Sequence, residues 1–262
     1  MSASHLRRTG HLRARYRAIC SYTGLVLVLC AGLALIPLLA LPMHEGNATG
    51  PAWAFLFTSA AMAIAGFSAW RFMSPRRDVV LTVPEGGLIV LLSWVVVCLI
   101  SAWPFMSISR FTFTQAVFES VSGWTTTGLS VLDVSRADPA ILLWRSVLQF
   151  AGGAGLAIIM LSAIAGPRGP ALSVAEGREQ LVPHVRESAK LVLAIYSSYT
   201  LAGVIALRIA GMGWFDAVNH ALASLSTGGF STRASSIGYW DSIAVEAVVV
   251  VLMVLGSTSF IT

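Results

Sequence analysis

The chain has 262 residues, of which 56% are hydrophobic and only 11% are charged, and its mean hydropathy is +0.78. An ordinary soluble domain carries about 25% charged residues, so this composition excludes a soluble enzyme, a coiled coil and a disordered tail and indicates an integral membrane protein. The formal net charge of +5 therefore reports on membrane orientation and not on nucleic-acid binding. No zinc-protease, nucleophile-elbow or Walker-type motif occurs in the sequence, so we predict that the protein is not an enzyme.

Six apolar stretches are long enough to cross a bilayer, which takes about 20 residues per helix. They run roughly over 19–41, 52–70, 86–106, 139–165, 191–211 and 242–262. The first stretch follows five arginines and resembles a signal peptide in that respect. It is 23 residues long, however, whereas the apolar part of a signal peptide has only about 7–15 residues. We therefore predict six transmembrane spans.

The loop charges predict how these spans are oriented. With the N-terminus in the cytoplasm, twelve basic residues fall on the inside and three on the outside. Because basic loops stay in the cytoplasm, we expect a multi-pass protein of the cell inner membrane with a cytoplasmic N-terminus. The outer segments then carry a net charge of about −3, which favours the approach of cations.

Two further segments, 114–124 and 215–225, are moderately apolar but too short to span. Apolar lengths of roughly 10–14 residues are compatible with re-entrant helices. Each is followed by small polar residues, TTTGLS at 125–130 and STGGFS at 226–231, and the two copies superpose at an offset of 101 with five identities in 17 positions. The alternative is a pair of extracellular loops with ordinary turns, but two copies in register favour a repeated helix–pore loop–helix unit.

The small polar runs have the chemistry of an ion filter. Non-helical backbone at membrane depth persists only where it is buried in protein or lines a water-filled path. Carbonyl oxygens there can replace the hydration shell of a monovalent cation, and the C-terminal end of the preceding helix adds negative potential. The segments 125–129 and 226–230 are termed the first and second filter segments. Their ten residues are Thr125, Thr126, Thr127, Gly128, Leu129, Ser226, Thr227, Gly228, Gly229 and Phe230.

Four longer motifs carry a family resemblance. They are FESVSGWTTTGLSVL (118–132), DPAILLWRSVLQFAGGAG (138–155), RESAKLVLAIY (186–196) and GMGWFDAVNHALASLSTGGFSTRASSIGYW (211–240). Together they resemble the Trk/Ktr/HKT potassium transporter superfamily, and most closely its TrkH/KtrB-like pore subunits. The resemblance covers nearly everything after about residue 80, and the two N-terminal spans look like an extra hairpin found in the TrkH branch.

The resemblance implies an all-α integral membrane fold with six transmembrane spans and two re-entrant pore helices. It divides the chain into a basic N-terminus with a two-helix hairpin (1–85) and two helix–pore loop–helix repeats (86–170 and 171–262). The family builds its pore from four such repeats around a pseudo-fourfold axis. This chain therefore resembles the N-terminal half of a pore subunit, and we expect it to be truncated before the third and fourth repeats.

The resemblance also implies a transported ion, K⁺, and no organic cofactor. By alignment with the family motif, the main-chain carbonyls that bind K⁺ are those of Thr126, Thr127, Thr227 and Gly228. Glycine at the key position of the first filter goes with potassium selectivity in this family and serine with sodium permeation, so Gly128 favours potassium. The second filter segment reads STGGF where many relatives have a run of the Asn-Ala-Gly type.

The expected partners follow from the same resemblance. They are the lipid bilayer, the missing C-terminal half of the pore, a second pore subunit in a homodimer and a cytosolic nucleotide-binding regulatory subunit of the TrkA/KtrA type. Two alternatives to potassium uptake stay open. One is a truncated, non-conducting fragment or assembly partner, and the other is a secondary cation transporter with broken helices.

Three ionisable residues are candidates for structural support of the filter. Arg145 and Glu246 lie inside predicted spans and are 101 residues apart, which places them at equivalent points of the two repeats. Ionisable residues in spans face the protein interior and find a partner, so we expect them to pair with each other or with pore-helix residues. Glu119 lies in the first pore helix. It either adds negative potential to the pore or binds neighbouring backbone groups, and the second role is favoured because a carboxylate in the filter would hold the ion too firmly.

Overall fold

The computed structural model describes residues 3–74, 83–165 and 181–258. Within these ranges all regular secondary structure is helical, with no strand. The α-helices are α1 (Ala3–Leu33), α2 (Thr49–Met73), α3 (Val83–Ser101), α4 (Trp103–Ser107), α5 (Phe113–Trp124), α6 (Pro139–Ala165), α7 (Leu181–Ile209), α8 (Trp214–Leu225) and α9 (Ile243–Ser257). Two 3₁₀ helices cover Ile36–Met43 and Ser236–Tyr239. The predicted all-α class is therefore confirmed.

Three stretches of helix in the described part of the chain are long and apolar enough to cross a membrane. They are Leu12–Met43, Thr49–Met73 and Pro84–Ser107. Two shorter apolar helices cover Leu193–Ile209 and Ile243–Ser257. Large apolar side chains are exposed on these elements, for example Trp53 at 70% and Leu29 at 67%. Because contiguous apolar surface of this kind is rare on soluble proteins, it fits a lipid environment.

A helix occupies each of the six stretches predicted to span, but the boundaries differ, and the third stretch is divided between α3 and α4. The first stretch is not one continuous α-helix, because α1 ends at Leu33 and a 3₁₀ helix containing Pro37 and Pro42 follows. Proline has no backbone N–H to donate and therefore interrupts an α-helix. The helix α7 begins at Leu181, ten residues before the predicted start at 191. Residues 259–262 of the last predicted stretch lie outside the described residues.

The N-terminal hairpin is held by a close crossing of α1 and α2. A Cβ atom on Gly24 would lie 2.5 Å from the carbonyl oxygen of Gly66, and one on Gly66 would lie 2.5 Å from that of Gly24. Small residues allow helix backbones to approach this closely and to gain packing contact. The hydroxyl of Ser59 also donates to the carbonyl of Ala31 at 2.8 Å. The glycine pair therefore sets the distance between the two helices.

Two apolar cores position the short helices α5 and α8. The first core contains side chains from all six helices α1 through α6 and is centred on the fully buried rings of Phe55, Phe105 and Trp144. The second joins α7, α8 and α9 around Leu207 and Val245. The helices α8 and α6 also contact each other, so the two halves share an interface next to the filter segments.

Candidate ion filter

The helices α5 and α8 have 12 residues each and begin in different ways. At the start of α5, Thr112 and Gln115 form a capping box, in which the Thr112 N–H donates to Gln115 Oε1 at 3.0 Å. At the start of α8, Gly213 is the N-cap and Asp216 lies in the first turn. A capping box binds otherwise unpaired N–H groups, and a carboxylate in the first turn stabilises the positive end of a helix. Both helices end where a filter segment begins.

The two filter segments follow the same backbone path. Thr126 has a φ of 53° and Thr227 a φ of 54°, while Gly128 and Gly229 have φ values of 78° and 82°. Each residue lies 101 positions from its counterpart. A positive φ is rare for a β-branched residue such as threonine and costs free energy. Its occurrence at the same position of both segments indicates a required conformation and not an accident of one loop.

The N–H groups of both segments point back to the helix that precedes them. In the first segment the N–H groups of Thr125, Thr126 and Thr127 donate to the carbonyls of Val121, Gly123 and Ser122 at 2.8, 3.0 and 3.0 Å. In the second segment those of Ser226, Thr227 and Gly228 donate to Leu222, Ser224 and Ala223 at 3.2, 3.0 and 2.9 Å. When successive residues alternate between negative and positive φ, their N–H groups gather on one side and their carbonyl oxygens on the other. Within the described ranges, no hydrogen bond is donated to the carbonyls of Thr126, Thr127 or Thr227.

The structure brings the two filter segments together. A Cβ atom on Gly128 would overlap the carbonyl oxygen of Gly228, so the backbones of the two segments are in direct contact. Thr127, Thr227 and Gly229 are nevertheless exposed. The two filter segments therefore pack against each other on one side and are exposed at the surface on another.

A cavity of about 230 Å³ lies at the C-terminal ends of α5 and α8. Its lining includes Thr125 and Thr126 of the first filter segment and Ser226 and Thr227 of the second. The C-terminus of a helix carries about half a negative charge, so two such ends give this cavity a negative potential. Gly152 lines it as well, and a Cβ atom there would overlap the carbonyl oxygen of Trp124.

Glu119 is fully buried and binds the residues that follow the first filter segment. Its Oε1 accepts a hydrogen bond from the Ser130 hydroxyl at 2.7 Å, and its Oε2 accepts one from the Val131 N–H at 3.1 Å. Oε1 also lies 2.9 Å from Nε of Arg145, whose side chain is 3% exposed. The carboxylate therefore has protein partners on both oxygens.

Arg145 links the two filter segments. Besides its ion pair with Glu119, it donates from Nη1 to the carbonyl of Ser231 at 3.1 Å. Its guanidinium carbon lies 3.9 Å from the centroid of the Phe230 ring, within the range of a cation–π contact. One side chain from α6 thus holds the end of the second segment while it pairs with the support of the first.

His220 is the counterpart of Glu119 in the second repeat, 101 residues further on. Its Nε2 lies 2.9 Å from the hydroxyl of Ser231, which is itself the counterpart of Ser130. Its Nδ1 lies 2.8 Å from the carbonyl of Asp216. A carbonyl oxygen can only accept, so Nδ1 carries the hydrogen. A carboxylate in one repeat and an imidazole in the other bind the equivalent serine.

Glu246 does not lie at the position in the second repeat that corresponds to Arg145, so the expected equivalence of these two residues is wrong. It is exposed in the first turn of α9, while Arg145 pairs with Glu119. Gly152 lies against the carbonyl of Trp124 and Gly256 against that of Leu225. The two carbonyls are 101 residues apart but the two glycines are 104 apart, because the connection after the second short helix is three residues longer. The counterpart of Arg145 in α9 is therefore three residues beyond Glu246.

The structure adds one residue that the sequence interpretation did not select, Gln149 of α6. Its side chain is fully buried. Its Nε2 donates to the carbonyl of Gly228 at 2.7 Å, and its Oε1 accepts from the N–H of Phe230 at 3.1 Å. The signal that could have found it is an amide within the apolar run 139–165, since a polar side chain in a span needs a buried partner.

Charged side chains lie near the residues that follow the filter segments. Asp216 accepts from the Thr232 hydroxyl at 2.6 Å and from Nη2 of Arg233 at 2.8 Å. The hydrogen bond to the Asp216 carboxylate raises the pKa of the Arg233 guanidinium, so this cation stays charged. A second cavity, of about 670 Å³, is lined by residues that include Asp133 and Asp138. His44, from the end of the first 3₁₀ helix, bonds to the Asp138 carboxylate and ties the N-terminal hairpin to this region.

Comparison with known proteins gives one consistent result. The family model described as "TrkH: Cation transport protein" matches residues 20–262. The TrkH potassium uptake protein of Escherichia coli K12 is 35% identical over 256 residues, which cover 94% of this chain and 52% of that protein. The TrkG protein of the same organism is 30% identical over 99% of this chain and 53% of its own length. These relatives are transport proteins and not enzymes.

A solved structure agrees with the sequence relatives. The crystal structure of the potassium transporter TrkH from Vibrio parahaemolyticus matches with a TM-score of 0.76 and 30% identity, over 94% of this chain and 50% of that one. The chain thus spans about half the length of the relatives it matches. Because the family model covers nearly the whole chain and the fold is shared, this membrane protein belongs to the TrkH family of cation transport proteins.

Proposed function

We propose that this chain forms half of a potassium uptake pore, in which two filter segments of main-chain carbonyls strip water from the ion. The observation that carries the proposal is the matched, adjacent pair of segments. They share the positive φ values at Thr126 and Thr227, and they touch where Gly128 meets Gly228. The names of the relatives, Trk system potassium uptake proteins, support potassium as the ion.

The proposed ion ligands are uncharged oxygens. They are the carbonyls of Thr126, Thr127, Thr227 and Gly228, in agreement with the resemblance of the filter motifs. Carbonyl dipoles suit an ion that must enter, lose its water and leave again. The Glu119 carboxylate accepts hydrogen bonds from Ser130 and Val131 and forms an ion pair with Arg145. Glu119 and Arg145 are therefore proposed to support the filter segments and not to bind the ion. Within the described part of the chain Glu246 is exposed and makes no hydrogen bond or ion pair with a filter segment, so the proposed support consists of Glu119 and Arg145.

The proposed membrane arrangement has six spans. In this arrangement α5 and α8 enter the membrane without crossing it, and the N-terminus lies in the cytoplasm of a cell with the protein in its inner membrane. The parts are an N-terminal hairpin (1–85), a first repeat (86–170) and a second repeat (171–262). The charge asymmetry of the loops supports the orientation.

A closed ring of carbonyls requires two further filter segments beyond the two described here. We propose that they come from the C-terminal half of a TrkH-type pore, since this chain covers about half the length of its relatives. A homodimer of pore subunits and a cytosolic nucleotide-binding regulatory subunit are proposed partners by family resemblance. The two alternatives, a non-conducting assembly partner and a secondary cation transporter, make different predictions for uptake.

The test is growth and K⁺ uptake in a bacterial host that lacks its own potassium uptake systems. The chain is expressed alone and together with the C-terminal half of Escherichia coli TrkH. We expect uptake only when both halves are present, at a rate that saturates with K⁺. A non-conducting assembly partner would give no uptake although both halves reach the membrane. A secondary transporter would give uptake from the chain alone, and this too would contradict the proposal.

A matched pair of glycine variants connects uptake to the filter. In Gly128→Ala the new Cβ atom overlaps the Gly228 carbonyl, whereas in Gly87→Ala it meets no heavy atom within 4 Å. We expect Gly128→Ala to lower K⁺ uptake and Gly87→Ala to leave it unchanged at equal protein levels in the membrane. Equal uptake by the two variants would show that the segment at 125–129 is not the ion path.

A further inference from the structure

The Gln149 amide is a buried polar group that spans the two repeats. It belongs to α6 in the first repeat, yet both of its hydrogen bonds go to the second filter segment. Burying an amide without partners costs several kcal/mol, so such groups persist where their hydrogen bonds are made. The position of the Gln149 amide is therefore determined by the main-chain groups of Gly228 and Phe230 that it binds.

The two hydrogen bonds of Gln149 lie on either side of Gly229. Nε2 donates to the Gly228 carbonyl at 2.7 Å, and Oε1 accepts from the Phe230 N–H at 3.1 Å. Gly229 itself has a φ of 82° and no heavy atom within 4 Å of where its Cβ would be. The space around Gly229 would accommodate other backbone conformations, and the amide of Gln149 binds the peptide groups before and after this glycine.

The Gly228 carbonyl is enclosed by the first repeat. Its oxygen lies where a Cβ of Gly128 would be, and a Cβ on Gly228 would overlap the Gln149 amide. A carbonyl oxygen has two lone pairs, so it can accept from Gln149 and still face an ion. The direction of this carbonyl is set by an amide that belongs to the other repeat.

We propose that Gln149 is a positioning residue that fixes the direction of the Gly228 carbonyl and thereby contributes to discrimination between K⁺ and Na⁺. This inference rests on the proposed function. A carbonyl held by a hydrogen bond from the other repeat is less free to move toward a smaller ion, and the same hydrogen bond weakens the field that the oxygen presents. Both effects act against Na⁺, because selectivity depends on the size of the site and the field strength of its carbonyls.

The test compares Gln149→Met, which keeps the length of the side chain and removes both hydrogen bonds, with Gln149→Leu as a second variant of similar volume. The matched control is Ser146→Ala, which removes a buried hydroxyl of the same helix that bonds to Asn219 at 2.7 Å and not to a filter segment. Uptake is measured with both pore halves present, as competition between K⁺ and Na⁺.

We expect the K⁺ over Na⁺ preference to fall roughly two- to tenfold in both Gln149 variants, as the loss of one or two hydrogen bonds predicts. Ser146→Ala should keep the wild-type preference. An unchanged preference in Gln149→Met, with wild-type uptake intact, would overturn the inference. Absence of K⁺ uptake by the wild-type assembly would instead overturn the proposed function, and the two failures are thus distinguishable.

A second measurement does not depend on transport. Hydrogen–deuterium exchange of the segment 226–232 reports on the Phe230 N–H, which is protected by Gln149 in the wild type. Faster exchange in this segment alone is expected for both Gln149 variants. Unchanged exchange would show that Gln149 does not hold the segment. Faster exchange throughout the chain would indicate general unfolding and would likewise contradict a local positioning role.

Discussion

Arg145 and Glu119 form an ion pair inside the protein, with 2.9 Å between Nε and Oε1 and side chains that are 3% and 0% exposed. Each member of the pair also contacts residues at or directly after a filter segment. Glu119 binds the chain after the first filter segment, and Arg145 binds the carbonyl of Ser231 and the ring of Phe230 in the second. The two filter segments therefore depend on one shared pair of charges.

Removing one member of this pair should destabilise the protein more than removing both. In Arg145→Met the Glu119 carboxylate keeps its charge without its cation, and breaking a buried pair in this way costs about 3–5 kcal/mol. Thermal unfolding of the detergent-solubilised protein should show a large drop in midpoint for Arg145→Met. The double variant Arg145→Met/Glu119→Gln should recover part of that loss. A double variant that is less stable than Arg145→Met would contradict the coupling.

Gly128 and Gly229 should differ in their tolerance of a side chain although their φ values are alike. At Gly229 an added Cβ meets nothing within 4 Å, so only the positive φ is unfavourable, by about 1–2 kcal/mol. At Gly128 the Cβ also overlaps the Gly228 carbonyl. Gly128→Ser should lose K⁺ over Na⁺ preference, measured as competitive uptake with both pore halves present, to a greater extent than Gly229→Ser. Equal effects would place the contact between the segments in doubt.

The crossing of α1 and α2 gives a prediction that is independent of transport. Gly24→Ala places a Cβ 2.5 Å from the Gly66 carbonyl oxygen, whereas Gly32→Ala, in the same helix, meets nothing within 4 Å. Forcing an atom into a packed interface costs about 1–3 kcal/mol, while glycine to alanine in a helix interior gains roughly 0.5–1 kcal/mol. Gly24→Ala should lower the thermal midpoint and Gly32→Ala should maintain or raise it. The reverse order would show that the helices do not cross at Gly24.

Tyr196 should stabilise the end of the second short helix. Its hydroxyl donates to the carbonyl of Leu225, the last residue of α8, at 3.0 Å. Tyr196→Phe should cost about 1 kcal/mol, the typical net contribution of one hydrogen bond. Tyr16→Phe is the control, because Tyr16 is 63% exposed. Thermal unfolding measures both, and equal midpoints for the two variants would argue against a role of the Tyr196 hydroxyl.

The local features of the protein could be predicted from the sequence. Long apolar runs with few charges predict helices in a membrane, and α6 covers the predicted stretch 139–165 from end to end. The two short apolar segments, each followed by small polar residues, predict two equivalent loops, and the φ values at Thr126 and Thr227 are 53° and 54°. The length of an apolar run and the spacing of a repeat depend only on the order of residues along the chain. They can therefore be recognised in the sequence without the tertiary structure.

The contacts between the repeats were decided only by the tertiary structure. The offset of 101 holds through the short helices and filter segments but changes to 104 at Gly152 and Gly256, so it assigned Arg145 the wrong counterpart in Glu246. The partner of Arg145 proved to be Glu119, and Gln149 gained its significance from Gly228, 79 residues away. Spacing along the chain determines which face of a helix a residue occupies. Which buried donor meets which acceptor depends on how whole helices pack, because an unpaired polar group is too costly to bury and the packing must bring its partner to it.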